Sequence, residues 1–281
     1  MDETPRQLDD IRREIDALDH SIHDALMARA ALVAGVRRAK GAGGAILRPG
    51  REAAVLRRLV ARHRGDMDPS VVVRIWREIM TASSRQQGPF SVAVASAAAG
   101  GAGIELARDH FGMLTALQPS SSIAQAIRAV TENRAQVALV PLAEDIPDDP
   151  WWRSLGTGPA PRLVVIARLP FERDQRAGAA LLVGRQDFDP SGEDRGFVIA
   201  ETRAEISQAR LRVALEKHGL AVTGFPASID DPGGGSLQLV EIATYVEPGD
   251  PRLAAAAAEA AEHASLRVAG GYAVPLDLPR G

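Results

Sequence analysis

Apolar residues recur every three or four positions near the start of the chain, at Leu8, Ile11, Ile15, Leu18, Ile22, Leu26, Ala30, Val33 and Val36. That period marks one face of an α-helix. No proline interrupts residues 6–40, and Gly35 is the one glycine among them. The pattern therefore predicts a single helix over 6–40, a rod of roughly 50 Å at about 1.5 Å per residue. Such a rod is too long for a compact monomeric bundle of this size, so its apolar stripe is expected to pack on another chain.

The cluster GAGGAILRPG, residues 41–50, then breaks the pattern. A second helix is predicted through REAAVLRRLVARHRG, with Val55, Leu56, Leu59 and Val60 on its buried side. A third runs through VVVRIWREIMTASSRQQ, with Asp68 positioned to cap it and Pro69 at its first turn. Gly88-Pro89 closes this all-helical segment.

From Phe90 the period changes. Short apolar runs (FSVAVA, MLTALQ, AQVALVPL, RLVVIA, ALLVG) are interleaved with the helical patterns GIELARDHFG and SSSIAQAIRAVTEN, which signals an α/β domain. The last ninety residues read as strand, helix, two strands, helix and strand, the βαββαβ order of a ferredoxin-like sandwich. The expected organisation is multidomain: an all-α three-helix unit over 1–88, an α/β unit over 90–190 and an α+β unit over 191–281.

Composition removes several classes of function. The chain has no cysteine, which excludes disulfides, thiolate metal sites and cysteine nucleophiles. No apolar run approaches the roughly 20 residues of a membrane span. The acidic opening MDETPRQLDDIRREID lacks the layout of a signal peptide, so a cytoplasmic protein is expected. The net charge of −3 is unevenly spread. Residues 1–87 hold 16 basic and 12 acidic side chains, while the remainder carries an acidic excess of 7. A positive excess of this size suits small anions. It is too small, and too poor in interleaved aromatics, for nucleic acid.

Arginine supplies nearly every cation: only Lys40 and Lys217 are lysines. Arg29 and Lys40 are eleven residues apart, which puts them within about 20° on one helix face. Arg29 has no acid three or four positions away, unlike the cations that Glu14, Asp16 and Asp19 can neutralise. Arg12 lies about 100° round and about 25 Å from Arg29, so on the same rod it cannot serve the same pocket. Ser83 and Gln87, at i and i+4, place neutral hydrogen-bonding groups on one face of the third helix. Arg51-Glu52 opens the second helix, where an acid is also a favourable first-turn residue. The glycines at 41–44 form no phosphate loop, since GxxxxGK[ST] is absent and no strand precedes them.

The ordered set IRREIDALD, LMARAALVAGVRRAK, RPGRE and SSRQQ resembles the all-helical type II chorismate mutases across about residues 6–87. The resemblance implies an intertwined homodimer with pockets lined by both chains, and chorismate as substrate. It implies that Arg12 reaches the partner's pocket and that Arg29 binds a carboxylate. Lys40 would bond the ether oxygen and a carboxylate, and Gln87 would also face that oxygen. Arg51, Glu52 and Ser83 would complete the substrate contacts, Glu52 receiving the hydroxyl. One departure stands out: several relatives carry an acid shortly before the Arg-Glu pair, where this chain has Arg48. The implied reaction, chorismate to prephenate, needs no nucleophile, metal or cofactor.

The segment FSVAVASAAAGGAGIELARDHFG with AIRAVTENRAQVALVPLAED is similar to the first lobe of prephenate dehydratase. Pro161-Arg162-Leu163 stands where that family's Thr-Arg-Phe motif is expected, so the catalytic hydroxyl is missing. The βαββαβ tail resembles the ACT regulatory domain without its usual signatures. Three readings follow: a chorismate mutase with a degenerate carboxyl-terminal region, a bifunctional mutase–dehydratase, or a non-enzymatic binding or regulatory protein.

Overall fold

The computed structural model describes residues 7–40, 45–95, 101–142, 150–172, 178–203, 206–230 and 235–278; within the first helix the side chains at 37 and 40 are not described. Among the described residues no helix is long and apolar enough to cross a membrane.

Three helices come first: α1 (Leu8–Lys40), α2 (Pro49–Arg62) and α3 (Pro69–Gln87). Asp68 caps α3 by accepting a hydrogen bond from the Ser70 N–H at 2.8 Å, with Pro69 in the first turn, as the local sequence predicts. α2 buries Ala53 and Leu56, and α3 buries Val73 and Met80. These four pack with Phe171 and Ala273 of the second half, so α2 and α3 are seated on the rest of the molecule. α1 is not. Its apolar stripe is bare: Leu8, Ile15, Leu18 and Ile22 are each more than half exposed.

The remaining chain builds one nine-stranded sheet. β1 (Ser91–Ala95), α4 (Ala102–Phe111), β2 (Ala116–Ser120), α5 (Ile123–Thr131) and β3 (Val137–Pro141) form a parallel βαβαβ unit with β1 between β2 and β3. β4 (Leu163–Leu169) and β5 (Ala180–Arg185) make an antiparallel hairpin, with β5 on β3. The tail follows as β6 (Asp194–Thr202), α6 (Gln208–Lys217), β7 (Val222–Asp230), β8 (Ser236–Ile242), α7 (Pro251–Ala260) and β9 (Ser265–Ala273). Its strands lie in the order β9-β6-β8-β7, all antiparallel, which is the ferredoxin-like arrangement.

The two halves of the sheet meet at a narrow joint, where Val165 of β4 pairs in parallel with Gly270 of β9. Gly270 has φ +106°, and a Cβ there would lie 2.0 Å from the Val165 carbonyl oxygen. Only glycine fits that approach. A shared apolar layer crosses the joint, running from Ala138 and Trp152 to Phe197 and Tyr272. Burial on this scale makes the α/β and tail units one packed body rather than beads on a linker.

Candidate functional site

The site candidates divide between two faces of α3. Ser83 and Arg77 are six residues apart, hence about 120° apart around the helix. α1 lies along the Ser83 face and α2 along the Arg77 face.

On the first face the half-buried Arg29 guanidinium donates to the Ser83 hydroxyl, which donates onward to the Ile79 carbonyl at 2.7 Å. Gln87 sits one turn along and donates from its amide to the Ser83 carbonyl at 3.2 Å. Gln86, which the sequence pattern did not single out, donates to the Ala30 carbonyl of α1 at 3.1 Å. Arg29, Ser83 and Gln87 are therefore neighbours in the α1–α3 groove, and two cross-helix bonds hold it. Lys40 ends α1, and its side chain lies outside the described residues.

Arg12 is far down the rod, exposed, and paired with Asp9 at 3.2 Å. Nothing in its own chain brings it to Arg29.

On the second face Glu52 has turned to Arg77, with Oε2 3.3 Å from Nη1, the Arg77 side chain buried and that of Glu52 largely so. The Arg77 guanidinium also lies over the Phe171 ring at 4.9 Å and 3.5 Å from the His110 Nε2. Burial pushes the Glu52 carboxyl up from its ordinary value and Arg77 pulls it back; nearby Asp189 adds to the rise. Burial also holds His110 well below the ordinary histidine range, and the charge of Arg77 lowers it further. Glu52 is thus an internal counter-ion here, on a different face of α3 from Arg29. Sequence reasoning missed Arg77 and His110. Arg77 had a signal: it lies between Val73 and Met80 on the apolar face of α3, where a charge needs a partner.

Arg51 exposes its side chain, while its backbone N–H donates to Asp189 Oδ2 at 3.1 Å. Arg48 pairs with the same oxygen at 3.2 Å. An arginine at position 48 therefore has a partner, contributed by the β5–β6 loop.

The three-helix segment coincides with a known family. Residues 11–88 match the model of chorismate mutase type II. The three-helix segment is thus similar to that family. A bifunctional chorismate mutase/prephenate dehydratase of Stutzerimonas stutzeri is 30% identical over 142 residues, 48% of this chain and 39% of that protein. The enzyme of the same description from Pseudomonas aeruginosa matches with the same identity and coverage. The chain spans about two fifths of the length of these curated relatives. Among solved structures, prephenate dehydratase from Arthrobacter aurescens in complex with L-Phe aligns with 68% of this chain and 92% of that one, at TM-score 0.49 and 12% identity.

The α1–α3 groove thus holds a guanidinium bonded to a hydroxyl, with a carboxamide one turn away. Glu52 is paired with Arg77 on the other side of α3.

Proposed function

We propose that this protein catalyses the rearrangement of chorismate to prephenate in the α1–α3 groove of its mutase domain. The observation that carries the proposal is the Arg29–Ser83–Gln87 cluster, which lies inside the segment matching the family. The reaction is unimolecular and pericyclic, so the protein must fold the substrate and stabilise charge rather than supply a nucleophile. Arg29, with its planar fork, suits a substrate carboxylate. Lys40 and the Gln87 amide suit the ether oxygen, which gathers negative charge as its C–O bond breaks. Holding the compact conformer removes entropy that the free substrate would have to lose.

The pocket is completed by a second copy of the chain. The exposed stripe from Leu8 to Ile22 is the surface that copy would cover, and an antiparallel pairing of the two α1 rods carries Arg12 of one to the groove of the other. Arg51 lies at the head of α2 as a further cation. Glu52 joins the site only by leaving Arg77, so we give the substrate hydroxyl no contact with it in the resting protein.

The α/β unit is read as a dehydratase-like lobe and the tail as ACT-like, with domains at 1–88, 90–190 and 191–281. We assign no dehydration step, because Pro161-Arg162-Leu163 offers no hydroxyl and leads directly into β4. The test is loss of the chorismate ultraviolet absorbance, followed by a separate search for phenylpyruvate made by the protein before any acid treatment.

A further inference from the structure

Asp189 caps α2 from the other half of the molecule. Four helices are capped by their own flanking residue: α3 by Asp68, α5 by Ser122, α6 by Ser207 and α7 by Asp250. α2 has Arg48 at that place and no side-chain cap of its own. The vacancy is filled by Asp189, whose Oδ2 accepts from the Arg51 N–H at 3.1 Å and from the Arg48 guanidinium at 3.2 Å. The approach is close: a Cβ on Gly50 would fall 1.9 Å from the Asp189 carbonyl oxygen.

The rest of the β5–β6 loop fastens the same helix. Arg57 of α2 donates to the Ser191 hydroxyl at 2.8 Å and the Glu193 carbonyl at 3.0 Å of that loop, and to the Val274 carbonyl just past β9 at 2.7 Å. Gln186 donates to the Leu47 carbonyl at 3.0 Å, just before α2 begins. Tyr245, beyond β8, donates to the Phe188 carbonyl at 3.3 Å, so the ferredoxin-like tail grips the loop from behind. On the opposite side Phe171 and His110 enclose Arg77, the partner of Glu52.

We infer that the carboxyl-terminal half is part of the mutase machinery, and that Asp189 is a positioning residue for the reaction, setting the first turn of α2 and with it Arg51. The inference rests on the proposed mutase reading. A carboxylate at a helix N-terminus meets both the free N–H groups and the positive end of the helix dipole. The cap that Arg48 does not provide is supplied by an acid 141 residues further along.

The test uses the full chain. Asp189→Ala should lower kcat between about fivefold and a hundredfold, the range expected when a binding group is displaced by a fraction of an ångström to an ångström, with far-ultraviolet dichroism and folded fraction unchanged. Asp189→Asn keeps an acceptor for the Arg51 N–H and should recover most of the loss. Asp187→Ala, an exposed acid in the same loop, should behave as wild type. Wild-type kcat and KM in Asp189→Ala would overturn the inference, as would losses in Ala and Asn alike that follow only the folded fraction. An inactive wild type would instead overturn the mutase reading itself. If Asp189→Ala does not fold, hydrogen exchange on the wild type decides. The Arg51 amide, in a helical turn whose N–H groups are ordinarily unprotected, should be protected; rapid exchange there would overturn the inference.

Discussion

The Glu52 carboxylate lies 3.3 Å from the Arg77 guanidinium, in a buried contact closed by the Phe171 ring. Removing one partner of such a pair strands the other charge. Arg77→Met should therefore destabilise the protein by about 3 kcal/mol, read as a lower denaturant midpoint. Adding Glu52→Gln to Arg77→Met should restore most of it, because a neutral side chain asks for no counter-ion.

The same contact sets an acid limb of stability. His110 is held well below its ordinary value of 6.5, first by burial and then by Arg77, so it takes up a proton less readily in the folded protein than in the unfolded chain. As the pH falls through 6.5 the unfolded chain takes up this proton and the folded one does not, and stability drops. Glu52, whose value is raised, works in the opposite sense: its contribution is greatest below 4.5 and fades as the pH rises through its folded value. Comparing His110→Asn with wild type isolates the histidine. Their difference in unfolding free energy should shift in favour of His110→Asn by about 1 kcal/mol between pH 7 and 5.5.

Lys40 is the cation assigned to the ether oxygen. Lys40→Ala should cut turnover by at least about a hundredfold, the size of a lost transition-state donor. Lys40→Arg should remain impaired, since a planar fork does not replace a compact ammonium aimed at one atom. Steady-state kinetics on folded protein would check both.

A pocket shared between chains predicts complementation. Arg12→Ala and Lys40→Ala should each be inactive alone. Refolded together, half the dimers are mixed and carry one intact site of two, so activity should return to about a quarter of wild type. An acid in the exposed stripe, Leu18→Asp, should both dissociate the dimer in sedimentation and abolish activity.

The local layers of this fold were legible because they are written in period and punctuation. The α1 stripe, the Asp68-Pro69 start of α3 and the alternation after Phe90 predict elements close to those found; α1 begins at Leu8 and α2 already at Pro49. The tertiary links were not legible. Asp189 and Arg48 are 141 positions apart, and neither stretch carries a local pattern that names the other. Glu52 illustrates the consequence. Its place in the first turn of α2 is clear from the sequence, yet its partner depends on Arg77 being buried against Phe171, a contact between halves of the chain. The joint at Val165 and Gly270, which fuses two predicted domains into one sheet, is equally invisible to periodicity.

The central claim is tested most directly by incubating the purified full chain with chorismate and following its ultraviolet absorbance, with the Lys40→Ala variant alongside. The account predicts loss of chorismate with prephenate as product, and a rate in the variant lower by about a hundredfold or more. No loss of chorismate at micromolar protein, or equal rates in the two proteins, would contradict it.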